Sequence, residues 1–440
     1  MLTRSLAPVV AALTLLLPGV APSQEELTVY PSNIRPKVIA VPPFATADGT
    51  DALGEGTFSD VILRNLQISG WFTPLPDPRL ASQQDRSDRA RGQTDFAEWG
   101  RIGADYLVRG TYAMSSGQIV ADVEVFDVSI GQRVIGRRYE RIASQQRDMA
   151  HAIADEIVET VTSERGIAQS RILYIAQSGP RRELAVMDCD GGRQRNLTND
   201  GATVMAACWG ANNTEVYFTS TRDYNPDLCG IFLDGSELWY ISRLPGLNLS
   251  PSWNPRTQRI ALTISRDGNS EIYTMNRDGS SPLRLTHDRG IDSSPCWTPD
   301  GRQILFTSDR ASGRPQLYVM DGDGRGQRRL TVRTGNNYND GASISPDGRR
   351  VAFSSRLDGQ FDIFVMDISG ADSSWQRLTN HPGDDEDPFW TWDGQHLVFS
   401  STRTGSKQIH IMNADGSNVH QLTTRGVNLS PVAEPLPPTR

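Results

Sequence analysis

The chain lacks a surplus of positive charge: 44 Lys and Arg stand against 52 Asp and Glu, for a net charge of −8. A polyanion partner needs Lys and Arg concentrated on one face, so this balance argues against nucleic-acid binding. Cysteine is scarce, with only Cys189, Cys208, Cys229 and Cys296, and none of the four falls in a C-x-x-C or Cys/His spacing that would hold zinc. They are either disulfide partners, with three connectivities open, or small buried side chains. There is no G-x-G-x-x-G after a strand, no Walker lysine and no G-x-S-x-G elbow, which removes the commonest nucleotide-binding and serine-hydrolase readings. The apolar run from Val9 to Leu17 is about half the roughly 20 residues that a membrane-spanning helix needs.

That run has another use. Arg4 precedes it, Pro18-Gly19 breaks it, and small residues at Ala21 and Ser23 follow, so residues 1–23 are expected to be a secretory signal peptide. Residues 24–36 are polar, carry two prolines and hold a single strand-like stretch, Leu27, Thr28, Val29 and Tyr30; the expectation is an exposed arm. Residues 37–166 have the patterns of an α/β domain. Lys37 to Phe44 (KVIAVPPF) predicts a buried strand, and Phe58, Val61, Ile62 and Leu66 recur at helical spacing within a helix from about Glu55 to Ser69. Pro74 to Gln93 is so rich in Asp, Arg, Ser and Gln that it is expected to be a loop. A short helix at 96–103, a strand at 106–112, a hairpin over 118–141 and an amphipathic helix from Arg147 to Glu164 complete the domain. His151 falls inside that last helix among apolar neighbours, which predicts a structural role.

From Arg171 the sequence repeats. The stretch from Gly290 to Gly324 is a well-formed copy: an inner strand (SSPCW), a Pro-Asp-Gly turn, an apolar strand (QILFTS), a loop, a second apolar strand (QLYVMD) and an Asp-Gly turn, followed by an outer strand ending in Leu330-Thr331. Six first apolar strands, beginning at Arg171, Glu215, Arg259, Gln303, Arg350 and His396, predict six blades. Inner-strand positions Trp209, Trp253, Trp297, Ile344 and Trp390 lie 44, 44, 47 and 46 residues apart, the period of a four-stranded propeller blade. Leu-Thr closes the outer strand at Leu197, Leu285, Leu330, Leu378 and Leu422, and the second copy is degenerate there. The first copy lacks an inner strand, whereas Asn428 to Val432 at the far end resembles one. Leu429 to Glu434 is therefore expected to complete the first blade and close the ring, removing two open sheet edges.

One position recurs at the start of the inner strands: Asn248, Asp292, Asn339, Asp385 and Asn428, with Val204 as the exception. If these side chains ring the channel mouth, they are partner contacts; otherwise they are turn residues that hydrogen-bond their own backbone. Asp384 to Asp387 is the densest acidic cluster, either a solvated loop or a cation site.

The order of signal, α/β domain and six blades resembles the TolB family, the periplasmic propeller proteins of the Tol-Pal system. The likeness rests on VIAVPPF, on Asp95-Phe96-Ala97-Glu98-Trp99 with Gly103 to Leu107, on Phe126 to Gln132 and on Ile153 to Ile157. The degenerate second blade and the four cysteines depart from the family. The resemblance implies an N-terminal α/β domain (37–166) followed by a six-bladed β-propeller (171–435) of four-stranded antiparallel blades. It also implies a non-catalytic periplasmic adaptor with no cofactor. A Pal-type lipoprotein would bind at the propeller mouth, through Asn248, Asp292, Asn339, Asp385 and Asn428. A TolA-type inner-membrane protein would bind the arm, through Leu27, Thr28, Val29 and Tyr30. The role implied is support of outer-membrane integrity and constriction at division; the alternative is a secreted propeller that binds carbohydrate or peptide outside any Tol system.

Overall fold

The computed structural model describes residues 35–46, 57–311, 313–332, 337–357, 359–370 and 374–436. The signal-peptide reading and the arm contacts at Leu27, Thr28, Val29 and Tyr30 lie outside them. Among the described residues no helix is long and apolar enough to cross a membrane.

The α/β domain contains β1 (Lys37–Ala40), β2 (Ala45–Thr46), α1 (Phe58–Ile68), β3 (Phe72–Pro74), α2 (Pro78–Arg91), α3 (Phe96–Arg101), β4 (Tyr106–Ser115), β5 (Gln118–Asp127), β6 (Gln132–Ile142) and α4 (Gln146–Thr162). The sheet order is β3-β1-β4-β5-β6, with β2 also paired to β4. The single strand expected over 37–44 is broken because Pro42 and Pro43 have no N–H to give a ladder. On one face of the sheet, α1 and α4 pack Phe58, Ile62, Leu66, Ile153 and Ile157 against the inward side of β5, Ile119, Ala121, Val123 and Val125.

The expected loop over 74–93 is instead mostly the helix α2. Asp77 caps it by accepting the Arg79 N–H at 2.9 Å, Pro78 opens its first turn and Gly92 ends it with φ 66°. Its buried face is Ala81, Asp85 and Asp88. That is helical spacing, but carboxylates stand where apolar residues usually do. The Asp85 and Asp88 carboxylates accept from Arg109 at 2.6 and 2.9 Å, and Asp88 also accepts the Trp99 indole N–H at 2.7 Å. A helix seated by charge carries no hydrophobic periodicity to find.

The remainder is six four-stranded antiparallel sheets. The inner strands are Val204–Trp209, Asn248–Asn254, Asp292–Trp297, Tyr338–Ile344 and Asp385–Trp390 for blades two to six, and Val427–Ala433 for blade one. The Leu-Thr signature has a definite job. In blades one, three, four, five and six its threonine (Thr198, Thr286, Thr331, Thr379, Thr423) accepts an N–H near the start of the third strand at 2.9–3.0 Å. The same hydroxyl donates to a polar side chain within the first three residues of that strand: Glu183, Glu271, Gln316, Asp362 or Gln408. Each outer strand is only two residues long in these blades, so this pair of bonds fixes what the ladder alone would leave frayed.

The C-terminal strand closes the ring as expected. Val427–Ala433 pairs antiparallel with Arg171–Ser178, with Asn428 opposite Ala176 and Ala433 opposite Ile172. Glu434 then accepts from Arg171 Nε and Nη2, at 2.8 and 2.5 Å, and the Trp209 indole of blade two donates to the Val432 carbonyl at 3.0 Å. Truncation after Gly426 strips Leu173 and Ile175 of their inner neighbours and opens two edges. The expected outcome is loss of a single cooperative melt, or a fall in Tm of more than about 10 °C, since several net hydrogen bonds and a strand of apolar burial weigh heavily against a stability of about 5–15 kcal/mol. Differential scanning calorimetry checks this; a melt unchanged from the full chain would mean that the closure contributes nothing.

Candidate functional site

The five ring positions do not open onto the mouth. Asn248, Asp292, Asn339, Asp385 and Asn428 are all buried, and so is Val204. Asp292 accepts from Arg310 at 2.5 Å and Asp385 from Arg403 at 2.9 Å, both arginines lying two residues past the end of the blade's own second strand. Asn339 and Asn428 instead donate to the third-strand amides of the preceding blade, Gln316 and Gln408, each at 2.8 Å. Asn248 accepts from Ser242, which replaces the missing Leu-Thr threonine, at 2.7 Å and donates to the carbonyls of Pro226 and Leu244. The expectation of free partner contacts is thus corrected: these side chains are cross-braces that bond partners within the blades, with Oδ1 of Asp292, Asn339 and Asp385 buried and left without a partner among the described residues.

A second tie lies one step further along each inner strand. A register shift there places Ser250, Ser294, Gly341, Asp387 and Ser430 in left-handed conformation, with φ of 46–65°. The N–H groups of Ser294, Asp387 and Ser430 reach back to hydroxyls of the preceding blade, Thr263, Ser354 and Ser400, at 3.0–3.2 Å. Thr219 and Thr307 occupy the same second-strand position and donate forward to the Asn248 carbonyl and the Asp340 carboxylate. The Val204 exception follows from this pattern. In blade one the hydroxyl position is Ile175, and Val204 packs with Ile175 in one apolar cluster, so the first-to-second junction exchanges a polar tie for a greasy one.

The acidic cluster is neither a loop nor freely solvated. Asp385 to Asp387 begin the inner strand of blade six, Glu386 pairs with Lys407, and Asp387 accepts from the Ser430 hydroxyl at 3.1 Å. Burial raises the Asp340 and Asp387 carboxyls above the usual range; hydrogen bonds to both, and for Asp387 also Lys407, offset part of that.

The mouth presents other side chains. The loop between the second and third strands of blade two adjoins the ring, since Pro226 in it accepts the Asn248 N–H at 3.0 Å. At its tip Tyr224 is 100% exposed with φ 68°, a conformation that costs a non-glycine residue about 1–2 kcal/mol. Asp223 beside it is pinned by Tyr240 and Arg243 at 2.7 and 2.8 Å. Met205 on the inner strand of the same blade is also exposed, as are Ile291 and Tyr338 on blades four and five. Sequence reasoning missed Tyr224 because nothing in its neighbourhood repeats.

The opposite face carries the α/β domain, seated on blades one and six. Ile68 and Ile167 enter the apolar cluster formed by those blades. Arg64 donates to the Gln421 carbonyl at 2.8 Å, and Asn418 to the Gln67 carbonyl at 3.0 Å. At the centre His151 joins the junction as a structural residue, with Nδ1 2.9 Å from Asn65 and Nε2 3.1 Å from Asp188. His151, Asp188 and Asp190 lie within metal-binding reach of one another, but Arg147 bonds Asp188 and Asp190 at 2.7 and 2.5 Å and Arg193 bonds Asp188 at 2.8 Å, so guanidinium groups already take the carboxylates. Burial would raise Asp188, but hydrogen bonds from His151, Arg193 and Arg147 outweigh it and hold the carboxyl far below its usual value. The four cysteines are free, and burial pushes their thiols up, Cys229 and Cys296 to about 11.

Comparison with known proteins bears on both halves. The family described as the TolB beta propeller domain matches residues 158–345 and 338–436, and the TolB amino-terminal domain matches residues 26–134. The crystal structure of TolB from Acinetobacter baumannii is 24% identical and superposes with a TM-score of 0.77 over 91% of this chain and 97% of that one. A putative TolB from Agrobacterium tumefaciens is 23% identical, with a TM-score of 0.48 over 59% of this chain and 91% of its own. Kuenenia stuttgartiensis hydrazine synthase is 15% identical, with a TM-score of 0.51 over 60% of this chain and 46% of its own.

Two outcomes test the geometry. Asp385→Ala leaves Arg403 without its buried partner and is expected to cost about 1–3 kcal/mol in urea unfolding, as is Asn428→Ala, which removes the Asn428 donor to Gln408 Oε1 and to the Arg425 carbonyl; wild-type stability in both would return these residues to the open mouth. Asp188, depressed in the folded state, contributes stability that is present above its unfolded pKa of about 4 and is lost as pH falls below that value. Tm should therefore drop between about pH 4 and pH 2, and less steeply in Asp188→Asn, as thermal melts across that range will read.

Proposed function

The chain belongs to the TolB family, and from that premise we propose that it is a non-catalytic periplasmic adaptor of a Tol-Pal system. The propeller mouth takes a Pal-type outer-membrane lipoprotein, and the arm around Leu27, Thr28, Val29 and Tyr30 takes a TolA-type inner-membrane protein. In that role the chain supports outer-membrane integrity and constriction during division. The observation that carries the mouth assignment is Tyr224, a fully exposed aromatic held in a costly backbone conformation by its pinned loop, on the face away from the α/β domain. Exposed aromatics on a rigid support are what interface hot spots are made of. Asn248, Asp292, Asn339, Asp385 and Asn428 enter this reading as the frame that fixes the mouth, with Tyr224, Met205 and Tyr338 as the contacts. The rim also carries arginines, among them Arg222, Arg243, Arg310 and Arg403, bridged to Asp200, Asp223, Asp292 and Asp385, which suits a partner with polar and apolar groups interspersed.

Tyr224→Ala is expected to weaken binding of a purified Pal-type lipoprotein domain at least tenfold by calorimetry, with Tm unchanged because the side chain touches nothing. Deleting residues 24–34 is expected to abolish capture of a TolA-type domain while leaving Pal-type affinity within about twofold. If Tyr224→Ala, Met205→Ala and Tyr338→Ala all bind as the unaltered protein does, the mouth is not the contact.

A further inference from the structure

Blade two departs from the other five in a coordinated way. Its outer strand, Leu238–Ser242 (LWYIS), is five residues long, where the others have two. Within it Trp239 stands opposite Gly230 of the third strand. The equivalent pairs elsewhere are Val186 with Arg195, Thr274 with Leu283, Val319 with Arg328, Val365 with Gln376 and Ile411 with His420. A branched residue facing a polar or aliphatic one has become glycine facing tryptophan. The two changes belong together, because a Cβ at Gly230 would lie 2.3 Å from the Trp239 ring. The indole therefore lies across the bare backbone of the third strand, with the Phe232 ring 5.2 Å away to fix its tilt.

Trp239 borders a groove of about 560 Å³ between blades two and three, lined also by Tyr240, Gln258, Asn276, Arg277 and Asp278. The last four belong to turns of blade three on the face opposite the proposed mouth, away from blades one and six where the α/β domain sits. Arg277 is held in place by the buried Glu215 carboxylate, which also accepts the Tyr217 hydroxyl at 2.8 Å. Asn276 is fixed by Arg259 at 3.1 Å. Gln258 and Asp278 extend from the rim, both exposed.

We infer that this groove is a carbohydrate subsite, distinct from the partner-binding surfaces proposed above. A flat indole offers a platform for the apolar C–H face of a pyranose, and the amide, carboxylate and guanidinium groups around its edge can pair with equatorial hydroxyls. The pairing of Arg277 with Glu215, beside the acidic Asp278, leaves little free positive charge, which favours a neutral glycan over an anion. The volume lies within the range of small-molecule sites and fits one or two sugar rings.

Saturation-transfer NMR on the full mature chain, with the β-1,4-linked N-acetylglucosamine tetramer and maltotetraose as probes, tests this. At least one probe is expected to receive saturation at its ring C–H protons, with a Kd of about 1 mM, and Trp239→Ala to weaken it at least tenfold. Because Trp239 also packs between blades, the exposed double variant Gln258→Ala, Asp278→Ala is the companion; it should keep the Tm and weaken binding about three- to tenfold. No transfer to either glycan at about 10 mM, or transfer undiminished in the double variant, overturns the assignment.

Discussion

A propeller has no central layer of its own, so everything depends on how each blade holds the next. In this chain the apolar contact between blades is supplemented by a polar tie at the inner strand, where a left-handed residue or a ring side chain of one blade bonds a hydroxyl or amide of the blade before it. Such a tie is modest in net energy, about 1 kcal/mol, but it is directional, which hydrophobic packing is not. It adds a directional constraint to the contact between neighbouring blades. Bonds within the blades also take up polar atoms that the sequence pattern offered as partner contacts, leaving Oδ1 of Asp292, Asn339 and Asp385 buried without one among the described residues.

Four of the five ring residues fall into two chemistries. Where the position is Asp, in blades four and six, an arginine two residues past the second strand's last serine position neutralises it, and the third strand of the preceding blade carries Glu271 or Asp362 near its start, each bridged to its own arginine. Where it is Asn, in blades five and one, the preceding third strand begins with Gln316 or Gln408, and amide meets amide. Blade three mixes the two, since Asn248 follows Asp227 at the start of blade two's third strand; there Asn225 and Arg243 take the Asp227 carboxylate and Asn248 accepts from Ser242. The blade-one to blade-two junction avoids both by dropping polarity altogether at Ile175 and Val204.

The fold was legible in the sequence wherever burial is apolar and periodic. The six second strands, the closure by Asn428 to Val432 and the helix around Ile153 all follow from side chains that alternate or recur as burial demands. Legibility failed where burial is polar. The helix α2 hides its inward face in Asp85 and Asp88, which as letters look like solvent. The ring was found by register, yet register says which residues are equivalent and not which way they turn; that is decided by Arg310, Arg403, Gln316 and Gln408, each distant in sequence from its partner. Asp188 was invisible for the opposite reason, since Asp321 and Asp367 occupy its place in other blades and only the approach of α4 gives it a distinct role. Tyr224 and Trp239 lie in the one copy that breaks the repeat, so the degeneracy itself was the available signal.

That contrast explains how the two domains are held. Ile68 and Ile167 bury apolar surface on blades one and six, and such contact tolerates small rotations. The cluster of Arg147, Arg193, His151, Asn65, Asp188 and Asp190 does not, because each bond in it has a direction and the carboxylates are too buried for water to replace a lost partner. Buried ion pairs of this kind add little net stability over an apolar equivalent, yet breaking one partner is expensive. The junction is thus better suited to setting an orientation than to strengthening an attachment. It fixes β1, and with it the point at Lys37 where the chain enters the α/β domain, relative to the propeller axis. A partner engaging the mouth and one engaging the other domain would then meet a scaffold whose two ends stand in a set relation, held by a handful of charges rather than by area.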